Sequence, residues 1–247
     1  MFVITKKDIM FYSIVFIVLF MAIFTPINYR STQIKNGKIN SVASNNIQTK
    51  IKVIIDAGHG EPDGGAVSKD GVKESDLNLQ IAQKLKAKIE ELNIEVIMTR
   101  ENSGCISNLE ETSKTIREIK TSDLNNRVKI ANESGASILV SIHMNKFEDS
   151  RYRGWQTFYS KSSEEGKKLA ENIQEAIGEV IQYDNKRKAL KIEGIKIIDK
   201  SKIPAVIVEC GFLSNPNECN LLQDEKYQEK MAEGIKIGIQ KYLDISM

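Results

Sequence analysis

The sequence predicts a three-layer α/β/α domain with a mostly parallel sheet, preceded by an N-terminal membrane-anchor helix. Three observations carry that reading. From Ile51 onward, short β-branched runs alternate with segments whose apolar residues recur at helical spacing, the pattern of a sheet covered by helices on both faces. Val53-Ile-Ile55 runs straight into a turn containing Gly58, Gly60, Gly64 and Gly65, and a strand that ends in such a loop delivers side chains to the carboxyl edge of a sheet. Residues 9–24 are almost wholly apolar and follow Lys6 and Lys7.

That apolar run is near the lower limit for spanning a bilayer as a helix. Lysines ahead of it place the amino terminus in the cytoplasm and the rest of the chain outside. The run is long for a signal-peptide core and no small-x-small site follows it closely, which favours an uncleaved anchor in 1–27 over a cleaved signal peptide. Residues 28–50, rich in Asn, Ser, Thr, Gln and Lys, read as a flexible linker. The folded domain is expected over 51–247.

Within it, Val53-Ile-Ile55 is a buried strand. Lys73-Glu-Ser-Asp76 leads into a helix with Leu77, Ile81, Leu85, Ile89 and Leu92 on one face, capped by Ser75 or Asp76. Residues 95–99 form a strand, and 102–120 a polar loop with a short helix. A helix starting at Ser122 turns Leu124, Val128 and Ala131 inward. Residues 137–142 and 154–160 are strands. Residues 162–181 are a long helix with Leu169, Ile173, Ile177 and Val180 aligned, 195–198 a short strand, and 205–209 a buried strand. Residues 224–243 close the domain as a helix presenting Tyr227, Met231, Ile235 and Ile239.

Charge is nearly balanced, with 35 basic against 33 acidic residues, so nothing global argues for nucleic acid or another polyanion. The three cysteines form no C-x-x-C, which removes zinc-ribbon and thioredoxin-like sites. Cys210, in an apolar run, reads as a small buried hydrophobe. A Cys105–Cys219 bridge is open outside the cytoplasm but nothing requires it. The glycine-rich turn matches neither G-x-x-x-x-G-K-[ST] nor G-x-G-x-x-G, which argues against a nucleotide enzyme.

The chain has two histidines, His59 and His143, and both follow apolar strands. Glu209 ends Ala205-Val-Ile-Val208, where an unpaired charge is costly unless it binds something. Glu74 stands at the start of the first helix, where a carboxylate also suits the helix dipole. Two imidazoles and one carboxylate make an open zinc site with one position left for water, and a further carboxylate nearby would be the general base of a hydrolase. Asp56 and Asp63, in or beside the loop, are expected to bond turn amides.

Four stretches then become recognisable in order: Ile54-Ile-Asp-Ala-Gly-His-Gly60, Lys73-Glu-Ser-Asp-Leu-Asn-Leu79, Val140-Ser-Ile-His-Met-Asn145 and Pro204-Ala-Val-Ile-Val-Glu-Cys-Gly-Phe-Leu-Ser-Asn215. Together they resemble the motifs of the zinc-dependent N-acetylmuramoyl-L-alanine amidases over about residues 51–243. Glu61-Pro-Asp-Gly-Gly65, Gly154-Trp-Gln-Thr-Phe-Tyr159 and Asp184-Asn-Lys-Arg187 are most similar to the spore-cortex members of that family. The sequence departs from the family at Glu61-Pro62, where many relatives have a longer glycine-rich turn, and after Arg187, where the usual glycine is missing. The resemblance implies Zn2+ held by His59, Glu74 and His143, and Glu209 as catalytic acid/base. It implies peptidoglycan as substrate, cut at the amide between N-acetylmuramic acid and L-alanine, with Asn145, Arg187 and Ser214 as donors to substrate and Asp56 behind a ligand histidine. A role in cortex maturation toward muramic-δ-lactam follows from it, in the forespore intermembrane space, with a companion lipoprotein and a downstream deacetylase as partners. A metal-free module that only binds the wall and a zinc carboxypeptidase acting within the stem peptide are the rival readings.

Overall fold

The computed structural model describes residues 51–109, 114–182 and 184–245. The expected anchor and linker therefore lie outside the described residues. Among the described residues, no helix is long and apolar enough to cross a membrane. In chain order the elements are β1 (Lys52–Ala57), α1 (Glu74–Glu90), β2 (Glu95–Met98), α2 (Ile116–Glu133), β3 (Ile138–Asn145) and β4 (Gln156–Ser160). They continue with α3 (Glu164–Ile181), β5 (Leu190–Ile192), α4 (Lys196–Asp199), β6 (Ala205–Phe212), α5 (Pro216–Gln223) and α6 (Glu225–Leu243).

The six-stranded sheet has the order β2-β1-β3-β6-β4-β5. Pairing is parallel except between β6 and β4, which run antiparallel. Strand alternation divides the side chains between two cores. Val53, Ile55, Ile138, Val140, Ile142, Val206, Val208 and Cys210 pack with Leu77, Ile81, Leu85, Ile173, Ile177, Ile235 and Ile239, so α1, α3 and α6 form one layer. Ile54, Leu139, Ala205 and Ile207 pack with Ala131, Ile197 and Ile198, so α2 and α4 form the other. Helices α3 and α6 approach closely: a Cβ added at Gly234 or Gly238 would come within 2.6 or 2.4 Å of the Cα of Ile177 or Ile173. The two glycines lie one turn apart and open a backbone-to-backbone contact that a side chain would wedge apart.

Several expectations are corrected. Helix α1 starts at Glu74 with no side-chain cap. Loop carbonyls take that job, since Ala66 O accepts from Glu74 N–H at 2.9 Å and Gly64 O from Ser75 N–H at 3.1 Å. Helix α2 starts six residues before Ser122, at Ile116, because Thr115 and Glu118 form a capping box that satisfies two terminal amides reciprocally. Its buried stripe is Ile119, Asp123, Arg127 and Ala131, while Leu124 and Val128 are only half-buried. Residues 196–199 form a helical turn, and the strand of that region is Leu190–Ile192. Ile197 and Ile198 reach the core on the α2 side of the sheet from that turn, so an isoleucine-rich run meets its burial requirement without a strand. The short helix α5, capped by Asn215 with Pro216 at its first turn, goes beyond the expected elements. All three cysteines are free thiols, with Cys210 and Cys219 buried.

Candidate metal centre

Parity and register assemble the site. On β1, β3 and β6 the residues facing α2 include Asp56, Ser141, His143 and Glu209. Asp56 pairs with Ser141 across β1–β3, and His143 with Glu209 across β3–β6. The chain leaves β1 through Gly58 into His59, which holds φ 62°, a left-handed conformation uncommon outside glycine. That turn brings the His59 ring back toward the sheet edge. Helix α1 delivers Glu74 from the other side.

The ligand atoms of His59, Glu74 and His143 lie within 4.8 Å of one another. Glu74 Oε1 is 3.2 Å from His59 Nε2 and 2.9 Å from His143 Nδ1. The carboxylate is itself held, because Oε2 accepts from Ala66 N–H at 2.8 Å and Oε1 from Met144 N–H at 3.1 Å. Asn78, one turn along α1, donates to Gly58 O at 3.1 Å. Asp63 Oδ2 is 2.8 Å from His59 Nδ1, which leaves Nε2 aimed at Glu74. Asp63 also takes the Gly65 amide at 3.2 Å, the turn role expected of it. Space for the two rings comes from glycine: a Cβ at Gly58 would lie 2.3 Å from His143 Nε2, and one at Gly65 would lie 2.7 Å from His59 Cδ2.

Two buried arginines fix the backbone beneath. Arg100 donates to Ala57 O at 2.8 Å, Gly58 O at 3.0 Å and Ser75 O at 2.8 Å. Arg127 donates to Ala57 O at 2.8 Å and to His59 O, so each carbonyl of the turn entry has a charged donor. Arg127 also pairs with Asp56 at 2.5 Å and with Asp123 at 2.8 Å, at side-chain exposures of 3% and 1% for the Arg127–Asp56 pair. Asp56 is therefore not behind a histidine. It accepts from Thr99 and Ser141 hydroxyls and from Arg127, and Asp63 holds the ligand ring instead.

The charges follow from these contacts. Burial alone would lower His59, but Asp63 and Glu74 outweigh it and raise its pKa to about 9. Burial opposes ionisation of Glu74 and Asp63, yet the two histidines hold Glu74, and His59 with Lys120 and the Gly65 amide holds Asp63, well below the usual carboxylate range. Asp56 is likewise held below its ordinary value by Arg127, Ser141 and Thr99 against burial. Glu209 behaves in the opposite sense. Burial pushes its carboxyl up to about 7, the two histidines pulling against that rise and Glu74 adding to it. Its Oε2 is out of contact with solvent and has no hydrogen-bond partner among the described residues.

A cavity of about 240 Å³ opens over this group, lined by His59, Asp63, His143 and Glu209, with Lys120 and Leu124 from α2 and Ile195, Ile197 and Ile207 beside them. The donor set fits zinc: two neutral-capable imidazoles and a carboxylate converge from three elements, as in open catalytic sites, and Asp63 supplies the outer carboxylate such histidines usually have. Asn145, Arg187 and Ser214 do not line this cavity. Ser214 Oγ accepts from Phe147 N–H at 3.1 Å. The Arg187 side chain donates to Arg153 O and Gln156 Oε1 and lies over the Phe212 ring at 4.9 Å. Arg100, Arg127 and Asn78 escaped the sequence reading. Only Asn78 had a local signal, its i+4 spacing from Glu74 on one helix face.

Comparison with known proteins places the domain in a family. The family model described as N-acetylmuramoyl-L-alanine amidase matches residues 53–241. A germination-specific N-acetylmuramoyl-L-alanine amidase of Bacillus subtilis is 37% identical over 190 residues, covering 77% of this chain and 78% of that protein. The CwlD amidase of Clostridioides difficile, solved in complex with the GerS lipoprotein, is 45% identical with a TM-score of 0.77, covering 80% of this chain and all of that one (100%). A second C. difficile amidase structure is 34% identical with a TM-score of 0.69, covering 80% of this chain and 99% of that one. The chain belongs to the N-acetylmuramoyl-L-alanine amidase family, and its mixed α/β domain has that family's fold.

Proposed function

We propose that this chain is a zinc hydrolase of the spore wall that cuts the amide between the lactyl group of N-acetylmuramic acid and L-alanine. In this reading His59, Glu74 and His143 hold the metal and Glu209 is the acid/base. The observation that carries it is the placement of Glu209 directly across the β3–β6 register from His143, with a buried oxygen that nothing among the described residues satisfies. A carboxyl tuned to about 7 is suited to accept and return a proton near neutrality.

Zinc bound there would polarise the lactyl carbonyl and acidify water. Glu209 takes the proton of the attacking water and passes it to the departing L-alanine nitrogen. Asp63 holds the His59 ring by Nδ1 and so keeps Nε2 directed inward. The Met144 and Ala66 amides hold Glu74 in one orientation. The isoleucines of the cavity wall limit water around the reacting carbonyl, which strengthens the electrostatics inside. Asn145, Arg187 and Ser214 are kept as donors to substrate; the latter two would exchange their present partners for it.

The spore setting is supported by the germination-specific relative of B. subtilis and by the CwlD structure. A companion lipoprotein like that solved with CwlD is part of the proposal. Action outside the cytoplasmic membrane with anchoring through residues 9–24 is included on the lysine-flanked apolar run, and muramic-δ-lactam formation with a downstream deacetylase on the sequence resemblance. The test is muropeptide analysis of peptidoglycan treated with the full-length chain, with and without added zinc. Release of intact stem peptides beginning at L-alanine, dependent on zinc, is the expected result. Shortened stems still attached to glycan would mean a carboxypeptidase, and an unchanged profile under both conditions would mean a wall-binding module.

A further inference from the structure

Beside the cavity over the candidate metal centre lies a second recess of about 490 Å³ on the first turns of α2, lined by Ile116, Arg117, Lys120, Thr121, Leu124 and Lys196. Lys120 and Leu124 belong to both. Three of the six lining residues are cationic and none is acidic. Lys120 Nζ is 3.0 Å from Asp63 Oδ2 at the inner end. Among the described residues Lys196 reaches a neutral partner, the side-chain oxygen of Asn125. The neighbouring Glu118 turns its carboxylate to the backbone and hydroxyl of Thr115, so it does not neutralise the recess. Ile116 is 57% exposed and gives the outer end an apolar lip.

We infer that this recess is the stem-peptide subsite, with Arg117, Lys120 and Lys196 recognising the peptide's free carboxylates. The inference rests on the amidase reading and deepens it. In the substrate class, the glycan is a chain of N-acetylated sugars, and the one acid of muramic acid, its lactyl carboxyl, is consumed in the amide to be cut. Every free carboxylate therefore lies on the peptide side of the scissile bond. A cationic recess that shares Lys120 and Leu124 with the site's own cavity matches that side and offers nothing to the neutral sugars. Guanidinium and ammonium groups suit carboxylates, and the apolar Leu124 and Ile116 suit alkyl side chains of the stem. The overall charge of the chain is only +2, so this local excess of cations is not a reflection of bulk composition.

The test compares two soluble muropeptides, one with native stem carboxylates and one with those carboxylates converted to carboxamides. The readout is the ratio of kcat/KM values for the two substrates, with the zinc-loaded full-length chain. At low salt the parent should favour the carboxylate form by a factor on the order of 3 to 10, as a few exposed ion pairs allow. The ratio should shrink toward one at high salt. In the Arg117→Glu/Lys196→Glu double variant it should reach one or invert. Damage to fold or metal would lower both rates together and leave the ratio alone. A parent ratio near one at low salt, or a double variant that keeps the parent's ratio, overturns the subsite. A parent that cleaves neither substrate would instead overturn the amidase reading beneath it.

Discussion

Gly58→Ala separates the metal centre from the fold. A Cβ built at Gly58 falls 2.3 Å from Nε2, 2.4 Å from Cε1 and 2.8 Å from Cδ2 of His143, so the methyl group would occupy the space of the ring itself. Relief to ordinary contact needs the ring to move by about 1 Å, several times the roughly 0.2 Å within which ligand positions hold a metal. The backbone itself accepts alanine, because Gly58 is not among the positive-φ residues. The half-buried ring can swing into the open cavity, so the cost to folding should stay under the 1–3 kcal/mol of ordinary overpacking. Zinc affinity should fall by more than the roughly 10–100-fold that loss of an outer partner costs. The control is Gly64→Ala, whose Cβ would meet only the Lys73 side chain, at 3.5 Å. Competition titration of chelator-stripped, full-length protein against a chromophoric chelator reads both. If Gly58→Ala bound zinc with parental affinity, His143 would not be a ligand in the position described.

Five further outcomes are expected. Glu209→Gln should keep its zinc and lose activity by a factor on the order of 100 to 10,000, as read by stem-peptide release; loss of the metal would make Glu209 a ligand. Because the His59 pKa is raised to about 9 and a metal requires the neutral ring, zinc affinity should climb about tenfold per pH unit from 7 to 9 and then flatten. The same shift means that His59 stabilises the metal-free fold fully below about 6.5 and loses that contribution as pH rises through about 9, which urea titrations of the stripped protein can follow. Arg127→Met should cost about 3–5 kcal/mol in urea unfolding, because it strands the buried Asp56 carboxylate. Gly238→Ala should lower stability by about 1–3 kcal/mol through the α3–α6 contact, with zinc binding unchanged by the same titration.

The parts of this molecule readable in the sequence are those whose signal is local. The apolar runs at 53–55, 138–142 and 205–208 are strands in the structure, and the i, i+4 stripes of α1, α3 and α6 face the larger core. Where a local signal was ambiguous, tertiary packing decided. The isoleucines of 195–198 fit a strand or a buried helical turn equally well, and α4 is the turn. Arg127 was illegible for a different reason. An arginine on a polar helix ordinarily faces water. It turns inward here to meet Asp56, 71 positions away, and the carbonyls of Ala57 and His59. That requirement exists only once β1 and α2 are packed.

The site shows how far pattern alone can go. The strands read as almost continuous hydrophobic runs, which hides which face each residue takes, since both faces are covered. Yet Asp56 and Ser141 interrupt those runs with a polar side chain, and counting by twos from Ser141 reaches His143. Residues 205 and 207 likewise lead to Glu209. Parity therefore puts all four on alternate positions of their strands, and it needs no coordinates. Register does: one residue of slip would carry His143 to the opposite face from Glu209. The structure sets that register through parallel pairing of Leu139 with Ala205 and of Ser141 with Ile207. The small hydroxyl of Ser141 completes the Asp56 network beneath the metal centre. The same polar residues that mark the working face in the sequence thus help hold it in the fold. Replacing Ser141 by an apolar residue would erase the marker and leave Asp56 short of a donor in a single step.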